Sequence, residues 1–435
     1  MHLIEGAPNV TLAMAFEGHV SPAALVSYAE LVFRSSKAGV LGTVVFGDGG
    51  VADRVKNEIV AEALERHAGM THLMWVEPNL VVPPDAMSTL LRHEKDVVGG
   101  IYPRRLEQSG GVVYLLDPFR WIKAPITEAR RVDGLGLGCT LVSAHVFRDM
   151  SIRHGDETWH KRFYGRSEDV FFFQRCRELG VEVYVDPAVE CLSATASELA
   201  STATIEDDVE GDVEDEGDSE PRVAIAVPLF EAISPLAMMN LIALIRNTVA
   251  SGLVRGIFFT NGLFYDVARN TLVRAVLDSA QRFTHILWID SDMVVPPDSL
   301  NRLLATNEPI VGGLYHTKRG DLHPAVFTVD PVVAVEMPGS GLTQVDGFGL
   351  GCALVQRTVY EEMASTYRDE RWHEFSYGAG EDTFFFKRCK RMGVPVWLDT
   401  DLRCGHVVDY AVTTADWDAL RASGVDRSAM SWTIS

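Results

Sequence analysis

The chain contains the same unit twice, and this duplication constrains its fold more than any other feature. Residues 71–102 align with residues 284–315 without a gap, at an offset of 213 (284 − 71 = 213). The same offset pairs all six cysteines with one another and relates Asn57 to Asn270 and Glu168 to Glu381. The sequence therefore predicts two tandem domains of one fold, and edits between the copies indicate where the chemistry lies.

Charge is concentrated between the copies. The net charge is −21, and the stretch 206–220 alone carries ten acidic residues and no basic one. Such a run repels itself and buries little apolar area, which predicts a disordered tether. A polyanion that competes for a basic surface is the alternative. We expect a first domain at 1–204, an acidic linker at 205–221 and a second domain at 222–435, each domain long enough to bury its own core.

The sequence shows no sign of membrane insertion or secretion. No apolar run approaches the ~18 residues of a membrane span, and the N-terminus lacks the basic start of a signal peptide. Cys176 and Cys389 follow the apolar runs FFFQR and FFFKR. We therefore expect six reduced core thiols, a cytoplasmic location and no membrane partner.

Each copy alternates short apolar runs with amphipathic helices. In the second copy, residues 223–230, 256–260 and 285–290 are typical of buried strands, and Ser234-Pro235 predicts a capped helix start. This alternation predicts an α/β fold with mostly parallel, Rossmann-like sheets and helices on both faces. Ligands of such sheets bind beyond the carboxyl ends of the strands.

The most informative edit between the copies is a carboxylate pair. The second copy has Asp290-Ser291-Asp292 at the end of a predicted strand, where the first has Glu77-Pro78-Asn79. Strand alternation would put Asp290 and Asp292 on one side, where they repel each other unless a cation lies between them. Oxygen ligands of this kind favour Mg²⁺ or Mn²⁺.

Three later features of the second copy add to this motif. Residues 346–352 form a glycine-rich stretch that includes Gly349 and Gly351, Glu381-Asp382 begin a predicted helix, and His406 follows a predicted strand. Alone, each has a structural explanation: a tight hairpin, a helix cap and a core histidine. Glycines also permit close ligand approach, a carboxylate can accept a proton, and an imidazole can ligate a metal.

Together these four motifs resemble the shared core of the GT-A glycosyltransferases, most closely the inverting, family 2-like branch. The resemblance covers both copies. It implies a nucleotide-sugar donor, with a UDP-sugar favoured over other nucleotide sugars. It also implies a Mn²⁺ or Mg²⁺ ion held by Asp290, Asp292 and His406. It also implies that Asp382 is the catalytic base, with Glu381 beside it. The donor contacts that it implies are Pro228, Glu231, Asn261, Arg269, Asn270, Asp290, Ser291, Gly349 and Gly351.

The first copy departs from this pattern at two of the four motifs. It has Glu77-Pro78-Asn79 at the carboxylate pair and Ser193 at the histidine position (406 − 213 = 193). One carboxylate and a serine make a poor site for Mg²⁺ or Mn²⁺. We therefore expect the first copy to be catalytically silent and to serve acceptor binding.

Basic residues are enriched in the silent copy. Six of seven of its basic positions have a non-basic counterpart in the second copy. A basic surface suggests a nucleic-acid partner, and scattered surface charge paired with local carboxylates is the alternative. The acceptor would then be a hydroxymethylated base in DNA, and otherwise a protein, glycan or small molecule. The seven residues are Arg104, Arg105, Arg130, Arg131, Lys161, Arg162 and Arg166.

Two other functions remain open from the sequence. Nucleotidyltransferases also combine parallel sheets with metal-binding carboxylates, and a non-catalytic module could bind nucleotide sugars or glycans without turnover. The Glu381-Asp382 pair and His406 favour glycosyl transfer over both alternatives.

Overall fold

The protein is described by a computed structural model and divides into two compact units, Met1–Glu198 and Leu199–Ser435. Within the described residues, no helix is long and apolar enough to cross a membrane. All six cysteines are buried free thiols, as predicted. The structure describes residues 7–16, 18–103, 112–122, 125–155, 157–163, 166–194, 199–207, 220–230, 232–318, 322–336, 340–375, 380–407 and 411–412.

The first unit alternates strands and helices along its length. In chain order its elements are β1 (Val10–Phe16), α1 (Pro22–Lys37), β2 (Leu41–Asp48), α2 (Ala52–Arg66), β3 (His72–Val76), β4 (Leu80–Val81), α3 (Ala86–Leu91), β5 (Val97–Ile101), β6 (Tyr114–Leu116), β7 (Phe119–Trp121), β8 (Arg130–Val132), β9 (Cys139–Ser143), α4 (Ala144–His154), α5 (Glu168–Leu179), β10 (Val183–Glu190) and β11 (Leu192–Ser193).

The second unit repeats this order and adds three strands, Thr202–Glu206 before it, Gly347–Phe348 within it and Ala411–Val412 after it. Its elements are β12 (Thr202–Glu206), β13 (Val223–Leu229), α6 (Pro235–Ala250), β14 (Val254–Asn261), α7 (Tyr265–Asp278), β15 (His285–Ile289), β16 (Met293–Val294), α8 (Ser299–Ala305), β17 (Ile310–Leu314), β18 (Val326–Val329), β19 (Val332–Ala334), β20 (Leu342–Gln344), β21 (Gly347–Phe348), β22 (Cys352–Gln356), α9 (Arg357–Tyr367), α10 (Glu381–Met392), β23 (Trp397–Arg403), β24 (Gly405–Val407) and β25 (Ala411–Val412).

Both units contain a mixed, mostly parallel sheet, which confirms the predicted α/β class. The seven-stranded sheet has the order β2-β1-β3-β9-β5-β10-β8, and the eight-stranded sheet has the order β12-β14-β13-β15-β22-β17-β23-β20. Apart from β12, each strand of the second sheet occupies the same place as its counterpart in the first sheet. The duplication predicted from the offset of 213 is therefore a duplication of topology.

Local sequence explains how the repeated elements begin. Ser21 and Ser234 cap α1 and α6, since each side-chain oxygen accepts from the backbone N–H three residues later, at 3.2 Å. A proline follows each cap, where its missing N–H costs nothing. Behind the sheets, Trp159 and Trp372 occupy equivalent buried positions in the two cores.

The segment before the second unit differs from the predicted linker. Thr202–Glu206 pair antiparallel with β14 and extend the second sheet, so the expected boundary at 204/205 falls inside β12. The β-branched residues of this segment suit a strand, and the free edge of β14 offers hydrogen-bonding groups to it. Residues 208–219 of the acidic run lie outside the described residues.

Candidate functional site

The Asp290-Ser291-Asp292 motif lies in a turn at the carboxyl end of β15. The strand ends at Ile289, and the Met293 N–H donates to the Asp290 carbonyl at 3.1 Å, which closes the turn. The predicted strand alternation therefore does not apply. The turn directs the two carboxylates to different partners, Arg269 for Asp290 and Lys318 for Asp292.

A short strand pairing brings His406 to this turn. Strand β16 pairs antiparallel with β24, with Met293 opposite His406, and the Val407 N–H donates to the Asp292 carbonyl at 2.7 Å. The imidazole Nε2 then lies 3.5 Å from Asp292 Oδ2. The first unit keeps the same scaffold, because β4 pairs with β11 and sets Ser193 opposite Leu80.

Arg269 joins the two acidic motifs. It projects from the second turn of α7, and only 1% of the residue is exposed. Its Nη2 donates to both oxygens of Asp290, at 3.1 and 3.2 Å. Its Nε lies 3.4 Å from Glu381 Oε1 and 3.5 Å from Asp382 Oδ1, at the start of α10. The structure therefore brings three of the predicted site carboxylates together around one buried cation.

Burial and crowding change the acidity of these groups. Burial raises the pKa of Asp382 to about 8; Arg269 opposes this rise, while Glu381 and Asp290 add to it. Burial also raises the pKa of Asp290, against the effect of Arg269. The three carboxylates in turn hold the pKa of Arg269 above its ordinary value in spite of its burial. The cluster thus contains a permanent cation and a carboxyl that exchanges its proton near neutral pH.

Lys318 is a site residue that the sequence reasoning missed. Its Nζ donates to Asp292 Oδ2. Burial acts to raise the pKa of Asp292, but the hydrogen bonds from His406 and Lys318 outweigh it and hold that pKa at about 2. A signal was available in the sequence, because Lys318 is the one basic counterpart among the seven basic positions of the first copy.

The predicted metal ligands fit a divalent cation in kind. The Nδ1–H of His406 donates to the His316 carbonyl at 2.9 Å, which leaves Nε2, 3.5 Å from Asp292 Oδ2, as the ring nitrogen that ligates a metal when it carries no proton. Asp292 Oδ1 is buried and has no hydrogen-bond partner among the described residues. The described part of the chain nevertheless contains no preformed cluster of three or more such ligands. Lys318 must leave Asp292 before both oxygens are available to a metal.

Several predicted donor contacts have structural roles instead. The side chain of Asn270 is fully engaged with the 372–373 backbone: it donates to the His373 carbonyl at 2.7 Å and accepts from both N–H groups at 3.0 Å. Asn261 donates to the Leu199 carbonyl at 3.4 Å. Pro228 is buried within β13. Ser291 lies in the turn itself, and Glu231 lies outside the described residues.

The glycine-rich loop encloses a tyrosine. A Cβ at Gly349 would overlap Tyr315 Oη, and one at Gly351 would lie 3.0 Å from Met293 Sδ. The Gly351 N–H also donates to Tyr315 Oη at 3.3 Å. The need for glycine at these two positions is therefore explained by packing inside the protein, whereas the sequence predicted close approach to a donor. Asp346, at the start of the loop, pairs with Lys390 at 2.7 Å.

Exposed aromatic rings flank the site. Phe230 follows β13, and Phe264 and Tyr265 begin α7. Their exposed fractions are 45%, 75% and 54%. The rings of Phe230 and Tyr265 are stacked, with centroids 6.2 Å apart at 21°. Burial and the charges of Asp292, Asp290 and Glu381 raise the pKa of Tyr265, which places its hydroxyl within electrostatic reach of the carboxylates.

The first unit has an altered version of the same site. Lys56 replaces Arg269, and its Nζ lies 3.1 Å from Glu168 Oε1 and 2.8 Å from Asp169 Oδ1. Burial acts to raise the pKa of Glu168, but Lys56 and the other hydrogen-bond donors hold it at about 2. The ion cluster at the start of α5 is thus retained, while the carboxylate pair and the histidine are lost.

Two of the basic residues of the first unit pair with local carboxylates in the described structure. Arg131 pairs with Glu182 at 2.8 Å, and Arg162 pairs with Glu168 at 3.1 Å. Arg130 lies on β8, the last strand of its sheet, and Lys161 is exposed. Arg104 and Arg105 lie outside the described residues. The nucleic-acid partner stays a prediction.

The chain is distantly similar in structure to glycosyltransferases and nucleotidyltransferases. Protein-family models and curated proteins gave no match to its sequence. A197 from STIV shares 18% identity, over 42% of this chain and 84% of that chain, with a TM-score of 0.30. GalNAc-T7, solved with UDP, GalNAc and Mn²⁺, shares 10% identity, over 44% of this chain and 45% of that chain, with a TM-score of 0.28. The inositol-1-phosphate CTP transferase from T. maritima shares 12% identity, over 43% of this chain and 89% of that chain, with a TM-score of 0.25. Such weak likeness carries no conclusion about the reaction.

Proposed function

We propose that the second unit is a glycosyltransferase that moves a sugar from a nucleotide-sugar donor to an acceptor hydroxyl, with inversion at the anomeric carbon. The observation that carries the proposal is the meeting of two acidic motifs at Arg269. Asp290 comes from the end of β15 and Asp382 from the start of α10, and both contact this one arginine. Sugar transfer needs a base for the nucleophile and positive charge for the leaving group.

Asp382 is suited to the role of general base. Its Oδ2 accepts from the Leu350 N–H at 3.1 Å, which fixes the carboxyl group. Its Oδ1 is buried and makes no hydrogen bond among the described residues, so it can accept the proton of an acceptor hydroxyl. A pKa of about 8 makes the ionised carboxylate a stronger base than an ordinary aspartate.

Arg269 is a positioning residue in this proposal. It is buried against Trp288 and paired with Asp290, Glu381 and Asp382, so it is not exposed to a diphosphate. Its charge allows three neighbouring carboxylates to exist in one buried cluster, because an isolated ionised carboxylate is costly to bury.

Positive charge for the leaving diphosphate has two sources in the proposal. Asp290, Asp292 and His406 would hold Mn²⁺ or Mg²⁺, which when bound stabilises the developing negative charge. Lys318 is a second cation at the same carboxylate. The exposed rings of Phe230 and Tyr265 supply a face on which the donor's base can stack.

A nucleotide-release assay tests the proposal. The full chain would be incubated with UDP-, GDP- and ADP-sugars, with and without Mn²⁺, and with protein, glycan, small-molecule and hydroxymethylated-DNA acceptors. We expect nucleoside diphosphate release that needs an acceptor and is lost in Asp382→Asn. Pyrophosphate release from a nucleoside triphosphate and a sugar phosphate would instead assign nucleotidyl transfer. Donor binding without release in every arm would assign a binding module.

A further inference from the structure

The first unit contains a cavity of about 380 Å³ where the second unit has its candidate active site. Lys56, Glu77, Asn79 and Asp169 are among the residues that line it. They are the counterparts, at an offset of 213, of Arg269, Asp290, Asp292 and Asp382. The copy without the metal-ligand motifs therefore has a cavity at the same place in the fold.

Two aromatic side chains form one wall of this cavity. Tyr114 on β6 and Trp121 on β7 both line it, and they are direct cross-strand partners in a two-stranded hairpin. Their ring centroids lie 5.2 Å apart at 81°. The second unit has Phe327 and Ala334 at these positions. The first copy has thus gained a hydroxyl and an indole where the other copy has neither.

Buried polar atoms at the cavity lack partners in the described structure. Tyr114 is 1% exposed, and its hydroxyl has no hydrogen-bond partner among the described residues. The same holds for Asn79 Oδ1. A buried polar group without a partner destabilises the folded state. Phe327 shows that the fold does not require a hydroxyl at this position. Both groups therefore have hydrogen-bonding capacity that no described residue uses.

The charges around the cavity disfavour a phosphate. Glu77, Glu168 and Asp169 give three formal negative charges against the two positive charges of Lys56 and Arg162. Both cations already pair with carboxylates, at 2.8 to 3.1 Å. Asn79 stands where the second unit has Asp292, which removes a metal ligand. A neutral ligand rich in hydroxyl groups suits this combination of aromatic faces and hydrogen-bond acceptors better than a nucleoside diphosphate does.

We propose that the cavity of the first unit binds one neutral sugar residue, without metal or nucleotide. The apolar face of the ring packs on Trp121 and Tyr114, and its hydroxyls bond to the Tyr114 hydroxyl and to Asn79 Oδ1. Ligand cavities span about 300–1,000 Å³, so a cavity at the low end of this range holds a single ring. This inference does not depend on the reaction proposed for the second unit.

Saturation-transfer NMR on the full chain tests this inference. The probes are glucose, galactose, mannose and N-acetylglucosamine, their methyl glycosides, and UDP with Mn²⁺. Methyl glycosides represent a chain end, and the reducing sugars represent a free monosaccharide. Trp121→Ala and Tyr114→Phe each restore the kind of side chain found in the second unit, and Tyr114→Phe keeps the ring for packing. Asp292→Asn reports on the other unit.

We expect at least one neutral sugar to bind, with at least ~10-fold weaker binding in Trp121→Ala, where an aromatic contact is lost, and ~3-fold or more in Tyr114→Phe, where a hydrogen bond is lost. Asp292→Asn should bind the same sugar normally. Loss of sugar binding in Asp292→Asn but not in Trp121→Ala would assign the sugar to the second unit and overturn this inference, while leaving the proposed reaction intact. Binding of UDP but of no neutral sugar, with Trp121→Ala weakening the UDP signal, would also overturn it. So would the absence of any sugar signal.

Discussion

Arg269 donates from Nη2 to both oxygens of Asp290, at 3.1 and 3.2 Å. In the first unit Lys56 occupies the equivalent position and contacts Glu168 and Asp169. A buried cation on the second helix of each unit is therefore common to both copies. What differs is the set of groups around it, since the first unit has neither the carboxylate pair nor the histidine.

Removal of the Arg269 charge should destabilise the second unit. Arg269→Met leaves three carboxylates without their buried partner, and we expect a loss of about 3–5 kcal/mol of unfolding free energy. Arg269→Lys should lose much less unfolding free energy, because Lys56 occupies the equivalent position in the first unit. Urea unfolding measures both. Arg274→Met, on the exposed face of the same helix, is the control, and its ion pair with Glu370 is worth about 0–1 kcal/mol. Equal losses for Arg269→Met and Arg274→Met would contradict the buried-cluster interpretation.

The role of Asp382 predicts both a rate and a pH profile. Asp382→Asn should lower the transfer rate by at least ~10²-fold, the scale of general-base catalysis, and should leave donor binding intact. In the wild type the rate should rise with pH as Asp382 loses its proton, with a midpoint near the pKa of about 8. Steady-state kinetics from pH 6 to pH 9.5 give the profile. Asp169→Asn, at the equivalent position of the first unit, is the matched control, and a transfer rate of Asp382→Asn close to that of wild type would remove Asp382 from catalysis.

The same pKa predicts how stability changes with pH. The folded Asp382 carboxyl keeps its proton up to about pH 8, whereas the unfolded chain releases it near pH 4. The contribution of this carboxyl group to the free energy of unfolding is therefore largest below about pH 4. It is lost as the pH rises through the folded pKa. Asparagine does not ionise in this range. The melting temperature of Asp382→Asn, relative to that of wild type, should therefore increase from pH 5 to pH 9. A constant difference across this range would contradict the raised pKa.

Metal binding should depend on Lys318 as well as on the predicted ligands. Asp290→Asn and Asp292→Asn should abolish turnover and weaken Mn²⁺ binding measured by calorimetry, whereas Glu77→Gln in the first unit should change neither. Lys318→Gln should tighten Mn²⁺ binding, because the ammonium no longer competes for Asp292 Oδ2. If turnover instead survives chelation of metal and is lost in Lys318→Gln, the lysine and not a metal supplies the positive charge.

The sequence predicted the parts of the fold and site that depend on local pattern and on the repeat. The Ser-Pro helix starts, the order of strands and helices along each copy and the position of Asp290 at a strand end follow from spacing and hydropathy. Spacing and hydropathy did not predict which side chains pair with one another. Arg269 lies 112 residues from Glu381, and Lys318 lies 26 residues from Asp292. Such pairs depend on how elements pack, which a single sequence does not encode as a pattern.

The glycine loop has a structural explanation that the sequence did not show. The spacing of Gly349 and Gly351 indicated that something approaches the backbone closely. In the structure that group is Tyr315, which comes from the chain after β17. Asn270 is similar, since its recurrence as Asn57 reflects a backbone brace present in both units. Recurrence between copies therefore also identifies residues that support the backbone.

The exposed rings beside the site should contribute to donor affinity. Base stacking on an aromatic side chain is worth about 1–3 kcal/mol, so Tyr265→Ala should raise the donor Kd by about 5- to 100-fold. The first unit has Ala52 at this position, so alanine is compatible with the helix start. Binding of a UDP-sugar by calorimetry measures the effect, and Val333→Ala, an exposed apolar residue on β19, is the control. An unchanged Kd would place the base elsewhere.

The predicted nucleic-acid contact of the first unit is decided by the salt dependence of binding. Neutralising Arg104, Arg105, Arg130 and Arg131 should weaken binding to duplex DNA and lower the slope of log affinity against log salt by about one unit per lost phosphate contact. Fluorescence anisotropy across a salt series measures both. A matched variant neutralises four exposed arginines elsewhere in the same unit. The pairing of Arg131 with Glu182 favours the competing interpretation, in which these arginines only balance local charge. In that case both quadruple variants bind DNA as the wild type does, and the acceptor is a protein, glycan or small molecule. The four control positions are Arg66, Arg148, Arg153 and Arg177.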